Sequence, residues 1–396
     1  MRRESASPPT STGANSLIRL TIPSIEEDDL QAVRDVLASG FLVQGQHVAA
    51  FEQAVAQHVG TRSAIAVSNC TAALHLSLLA LDVRPGDIVV VTAYSWPATA
   101  NVIELYGARP VFADIQPDTF NIDPNRLEET LERLMANAHT ARRVKAVLPV
   151  HTFGQMANMP AILELAGRYG LPVVEDAACA LGATWQGRQA GTWGTIGCFS
   201  FHPRKAITTG EGGMVVTNDP DLAKRLRALR NHGLDPDAPS PDFILPGLNC
   251  RMTDFQGALG VTQMAKLDRI IAARRCLAGL YDELLRGTSI QAPVVAPGSH
   301  PVYQSYVVLL PADVAPRRAD LIAALKARGI ETTIGTWHIP MITHYRRAYG
   351  YREGDFPVAD VVSALSLTLP LHERLLASEQ EQVGAHLTDL LASLRG

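Results

Sequence analysis

Between residues 64 and 175, short apolar runs alternate with stretches whose apolar positions fall three and four apart. The first pattern predicts strands buried on both faces, and the second predicts helices. Strands are expected over 64–67, 87–92, 110–113, 144–150 and 172–175. Helices are expected over 71–81, 98–106, 127–136 and 160–169, with two more ahead of them at 25–39 and 49–59. This alternation predicts a mostly parallel sheet covered on both faces. Ligands in such sheets bind beyond the carboxyl ends of the strands. Residues 68–71, Trp96, His151 and Asp176 fall at or just past those ends, so they are expected to line one crevice.

The rhythm changes at Asp254. Residues 255–281 read as one long helical stretch, 301–310 as a strand, 317–328 as a helix and 378–394 as a final amphipathic helix. The expected organisation is a large α/β domain over 16–253 and a smaller C-terminal α+β domain over 254–396. Residues 1–15 are rich in Ser, Thr and Pro and are expected to form a disordered tail.

Composition narrows the class. A chain of 396 residues is long for a single core and suits two domains. With 47% hydrophobic and 19% charged residues it is globular. A net charge of −4 gives no global basic footprint for nucleic acid. No apolar run reaches the length of a membrane span, and the N-terminus has no apolar signal core. The five cysteines, Cys70, Cys179, Cys198, Cys250 and Cys276, have no metal-ligand spacing, which fits free thiols in a reducing cytoplasm. No metal site is expected: His202 has no acid or histidine at ligand spacing.

The candidate chemistry begins with Lys205, which stands in a loop rich in Ser, Thr and Gly between Ser200 and Gly213. Asp176 closes an apolar strand about thirty residues earlier. A lysine amine and a strand-end carboxylate are what pyridoxal phosphate (PLP) requires. The amine forms a Schiff base with the aldehyde, and the carboxylate keeps the pyridine nitrogen protonated. Desolvation or a nearby cation is expected to lower the Lys205 pKa. The N–H groups of Cys70, Thr71 and Ala72 open a helix and are expected to be free to bind an anion such as the phosphate. The bland alternative makes Thr71 only an N-cap. Trp96 is placed either to stack on the ring or in the core. Asp176 is either the partner of a pyridinium or a turn cap. Ser200 lies on a strand expected over 197–201 and can donate to the phosphate.

With these residues in place the chain resembles the DegT/StrS group of PLP-dependent sugar aminotransferases, of fold type I. Matching segments run from about Ile18 to the C-terminal helix and include residues 40–45, 101–114, 150–154, 229–233, 247–252 and 366–371. The resemblance implies that Lys205 is the lysine joined to the cofactor and that Asp176 faces the ring nitrogen. It implies a stacking role for Trp96 and phosphate contacts for Thr71 and Ser200. Asn249 matches an asparagine supplied to the phosphate from the neighbouring subunit, which implies a homodimer with shared active sites. Two positions depart from the family pattern: Cys70 stands where Gly is common, and Cys179 where Gln or Glu lies near the ring hydroxyl.

The expected reaction moves an amino group from glutamate or glutamine to a keto sugar, most simply a nucleotide-linked keto-deoxysugar. A keto-cyclitol is the alternative acceptor. Arg251, His338 and Tyr345 are candidate substrate contacts, each with a structural alternative. From another class, a PLP-binding regulator without catalysis is argued against by the presence of Lys205. A plain interaction protein on the same scaffold would show no PLP absorbance.

Overall fold

The computed structural model describes residues 17–395. The expected tail over 1–15 lies outside the described residues.

The central sheet is assembled from a four-strand and a three-strand part. Ser63–Val67, Gly213–Thr217, Ile196–Ser200 and Val174–Asp176 lie side by side in that order. Val144–Leu148, Ile88–Thr92 and Arg109–Ala113 continue it, and parallel bridges Val147–Val173 and Val150–Asp176 join the two parts. Gly213–Thr217 alone in this sheet runs antiparallel, to both its neighbours. The expected mostly parallel sheet is therefore present. The antiparallel strand was not foreseen, because the turn-rich segment before it masked its apolar run.

Both faces of the sheet are buried, which explains the continuous apolar runs. On Ser63–Val67, Ala64 and Ala66 join one apolar cluster while Ile65 and Val67 join another. Val90 and its neighbours Val89 and Val91 divide in the same way. The second cluster also takes in Ile339, Tyr345, Phe356, Ala359 and Val362 from the C-terminal part of the chain. A third cluster gathers Tyr281, Tyr306, Leu321, Leu367 and Leu387 with Ile18 from the opposite end. Ile18 reaches it by bridging to Ile330.

The stretch expected as one helix over 255–281 is two helices, Asp254–Met264 and Leu267–Leu285. The break falls at Lys266, whose ammonium is 8% exposed and bonds Asp28 at 2.6 Å and Asp29 at 2.7 Å. Lys266 thus ties the break to the first helix of the chain, Glu27–Ser39. Ahead of the break, Gly257 lies against the backbone of His47 and Val48, where a Cβ would sit 2.5 Å from the Val48 nitrogen. Only glycine allows that approach to the helix Gln46–Val59. The expected strand over 301–310 is confined to Tyr306–Leu309, paired antiparallel with Ser366–Leu369.

Candidate active site

The phosphate end is built where three strands meet one helix. Gly213 pairs with Val67 on one side and with Ser200 on the other. A Cβ on Gly213 would lie 2.5 Å from the Asn69 carbonyl and 2.7 Å from the Cys70 nitrogen. Glycine thus lets the start of the helix Cys70–Ala80 pack down beside Ser200. Asn69 is the N-cap, and its side chain accepts from Ala72 N–H at 2.8 Å. Two expectations are corrected here. Ala72 has no free N–H, and Thr71 is not the cap. Cys70 and Thr71, at the first two helical positions, keep N–H groups with no intrahelical carbonyl to receive them. Thr71 is exposed at this mouth.

Asp176 lies at the other end. It pairs with Cys198, two residues before Ser200. Its carboxylate is 4% exposed. One oxygen accepts from Thr99 Oγ at 2.8 Å and the other from Ala178 N–H at 3.2 Å. Burial pushes its carboxyl above the ordinary value, while these two bonds and the charge of Lys205 pull the other way. No basic side chain among the described residues forms an ion pair with it. Thr99 stands on the short helix Ala98–Glu104, directly after Trp96 and Pro97. Its N–H donates to the Trp96 carbonyl at 3.1 Å. Trp96 is 61% exposed, so the core alternative fails for it.

Lys205 sits on the turn between Ile196–Ser200 and the antiparallel Gly213–Thr217, at the same sheet edge as Asp176. Its ammonium is half-buried and bonds Cys179 Sγ at 3.1 Å. Burial favours the neutral amine. Cys179, Cys70 and Asp176 around it outweigh that effect and hold Lys205 above the ordinary lysine value. This reverses the expected lowering. Arg204, the cation nearest in sequence, is exposed, and the acidic neighbour is Asp176. Burial also pushes the Cys70 thiol well up.

The remaining expected residues separate. Arg251 bridges to Val67 beside the helix mouth, and its guanidinium donates to Asn231. Asn249 is exposed, and its side chain has no hydrogen-bond partner among the described residues. His338 and Tyr345 are both buried. His338 is 6% exposed, faces Asp360 at 3.2 Å and packs edge-on against Phe356. Tyr345 is 1% exposed and donates to Asn101 at 2.6 Å. His151 also leaves the crevice, fully buried and bonded to Glu175 at 2.8 Å.

Sequence reasoning missed Thr99, whose signal was its place one turn after Trp96. Trp337 pairs with Ser95 and is 45% exposed.

These residues fit PLP. A buried carboxylate without an ion pair suits a protonated ring nitrogen. Two uncommitted N–H groups and two hydroxyls suit a phosphate. Cys70, Thr71 and Ser200 would hold the phosphate, Trp96 the ring face, Asp176 the ring nitrogen and Lys205 the aldehyde.

Comparison with known proteins agrees with this chemistry. The profile of the DegT/DnrJ/EryC1/StrS aminotransferase family matches residues 23–388. GDP-perosamine synthase of Caulobacter vibrioides is 37% identical over 378 residues, covering 94% of this chain and 98% of that one. The aminotransferase TlmJ of Streptoalloteichus hindustanus superposes with a TM-score of 0.87 at 33% identity, covering 96% of this chain and all of that one. Spr1654 of Streptococcus pneumoniae, solved in a PLP form, gives 0.89 at 26% identity, covering 96% and 99%. The fold, fold type I, and its chemistry define a PLP-dependent aminotransferase. The chain belongs to the DegT/DnrJ/EryC1/StrS aminotransferase family.

Proposed function

We propose that this enzyme aminates a nucleotide-linked keto-deoxysugar, with glutamate or glutamine as donor. The observation that carries the reading is Lys205, half-buried at the same sheet edge as a buried Asp176 that has no ion pair. Its 37% identity to a protein named GDP-perosamine synthase supports the sugar acceptor.

When bound, PLP supplies an aldehyde that takes up an amine and a ring that accepts electron density. Lys205 Nζ removes the proton from the donor carbon that carries the amine. In the second half of the cycle it returns a proton to the carbon of the former ketone. Proton transfer by a positioned side chain contributes roughly 10²–10⁴-fold. Asp176 would hold a proton on the ring nitrogen. Trp96 would cover a ring face, and Cys70 and Thr71 N–H, Thr71 Oγ and Ser200 Oγ would bind the phosphate.

The exposed Asn249 would contact the phosphate bound by a second copy, which would make the working unit a homodimer with shared sites. Among the described residues no helix is long and apolar enough to cross a membrane. The five free cysteines support a cytoplasmic enzyme of small-molecule metabolism.

A panel of keto acceptors tests the assignment, with glutamate consumption followed by release of its keto acid. Turnover with a nucleotide-linked keto-deoxysugar and none with free keto-cyclitols is expected. The opposite ranking contradicts the acceptor class. Glutamate that reacts with no keto acceptor at all contradicts the sugar reading.

A further inference from the structure

We infer that Thr99 is a positioning residue for the Asp176 carboxylate, and that it ties this carboxylate to the face covered by Trp96. The inference rests on the proposed role of Asp176.

The geometry is specific. Thr99 Oγ donates to one Asp176 oxygen at 2.8 Å, and Ala178 N–H donates to the other at 3.2 Å. A donor on each oxygen fixes the plane and rotation of the carboxylate. Thr99 is itself held on two sides. Its N–H bonds the Trp96 carbonyl at 3.1 Å, and its hydroxyl lies 3.2 Å from Ser95 Oγ. Ser95, Thr99 and Asp176 are each buried. Moving Thr99 would therefore disturb the Trp96 backbone and the Asp176 carboxylate together.

The bond also sets charge. A buried carboxylate tends to protonate, and a hydroxyl donating to the charged form opposes that. The other groups facing Asp176 come from several elements. Lys205 on its turn and His151 beyond the next strand favour the charge. The thiols of Cys70, at the helix start, and Cys198, on the adjacent strand, are pushed up by burial first and by the charge of Asp176 after it. Glu175 precedes Asp176 on the strand and makes its bonds to His151 and the 191–194 loop. Thr99 is the only side-chain hydrogen-bond donor to Asp176 among the described residues. A protonated Asp176 would no longer hold a proton on the ring nitrogen, and cofactor would be lost.

The test uses purified holoenzyme, with retained PLP followed by visible absorbance as the protein is brought from neutral to acidic pH, without substrate. Thr99→Val keeps the shape and removes the donor. It should weaken PLP retention about tenfold or more at neutral pH, the scale of a hydrogen bond to a charged group. The acid loss of PLP should also move up by about one pH unit. Thr99→Ser should behave like wild type in both respects. A role confined to packing would change melting of the protein without moving the acid limb. An unmoved limb in Thr99→Val overturns the inference. If Thr99→Val does not fold, Thr99→Ala in the same titration decides by the same criterion. The cofactor phosphate titrates alike in every variant, so the comparison cancels it. Wild-type protein that retains no PLP at any pH would overturn the reading of Asp176 itself, and this inference with it.

Discussion

Glu175 and Asp176 are adjacent carboxylates with opposite surroundings. Successive strand side chains point to opposite faces. Glu175 accepts N–H bonds from Gly191, Trp193 and Gly194 at 2.9, 2.7 and 2.6 Å, together with His151 at 2.8 Å. Its hydrogen-bonding capacity is consumed by the fold. Asp176 has two donors and no ion pair, which leaves it open to a cationic ring. Asp176→Asn keeps the size and removes that charge. Turnover should fall about a hundredfold or more, as when one preorganised electrostatic partner is removed from an active site. Steady-state kinetics at saturating PLP checks this, and wild-type turnover would refute the role. Lys205 and Asp176 could be singled out because one stands in a glycine-rich loop and the other at a strand end, patterns visible in one dimension. Thr99 could not, since its bond to Asp176 spans 77 positions of sequence. The burial of His338 and Tyr345 could not be read either, because polarity alone does not tell a crevice residue from a buried one with a partner.

At the level of elements, periodicity located the parallel strands and most helices within a few residues. It did not find the break at Lys266, where the ammonium bonds Asp28 and Asp29 on the first helix. Asp29 also accepts from Gln263 at 3.0 Å, so three elements meet at one carboxylate. Burial raises the Asp29 carboxyl, but Lys266, Thr262 and the Glu26 N–H outweigh it and hold it below the ordinary value. A carboxyl lowered on folding adds stability that is fully present above its unfolded pKa, near ~3.9, and is lost as pH falls through the folded value. Asp29→Asn should therefore cost about 3 kcal/mol near neutrality, the scale of breaking a buried pair, and progressively less in acid. Denaturant unfolding of both proteins at several pH values measures it. A penalty that grows on acidification would contradict the clamp.

For the whole molecule, the central proposal is that two chains complete each other's sites. Phe41 and Val43, 81% and 66% exposed, stand in the loop before the second helix. That loop is anchored by Asp254, which accepts from Gly45, His47 and Val48 N–H at 3.0, 3.0 and 2.9 Å. An anchored loop carrying exposed apolar side chains suits burial against another copy. Solution mass should be about twice the 42.6 kDa of one chain. Mixed dimers give a sharper test. A subunit carrying Lys205→Ala paired with one carrying Asn249→Ala should contain one intact site. The mixture should then regain turnover that neither parent has at limiting cofactor. No recovery in a verified mixed dimer would place Asn249 in its own subunit's site or outside any site.

The most direct test of the account is the visible spectrum of the purified protein with PLP, recorded before and after glutamate, beside Lys205→Ala. Wild type should show a bound-cofactor band that moves to shorter wavelength with glutamate. In Lys205→Ala that response should be lost or slowed by orders of magnitude while the cofactor remains bound. A wild-type protein that takes up no PLP, or a Lys205→Ala variant that responds to glutamate as wild type does, would contradict the assignment of Lys205.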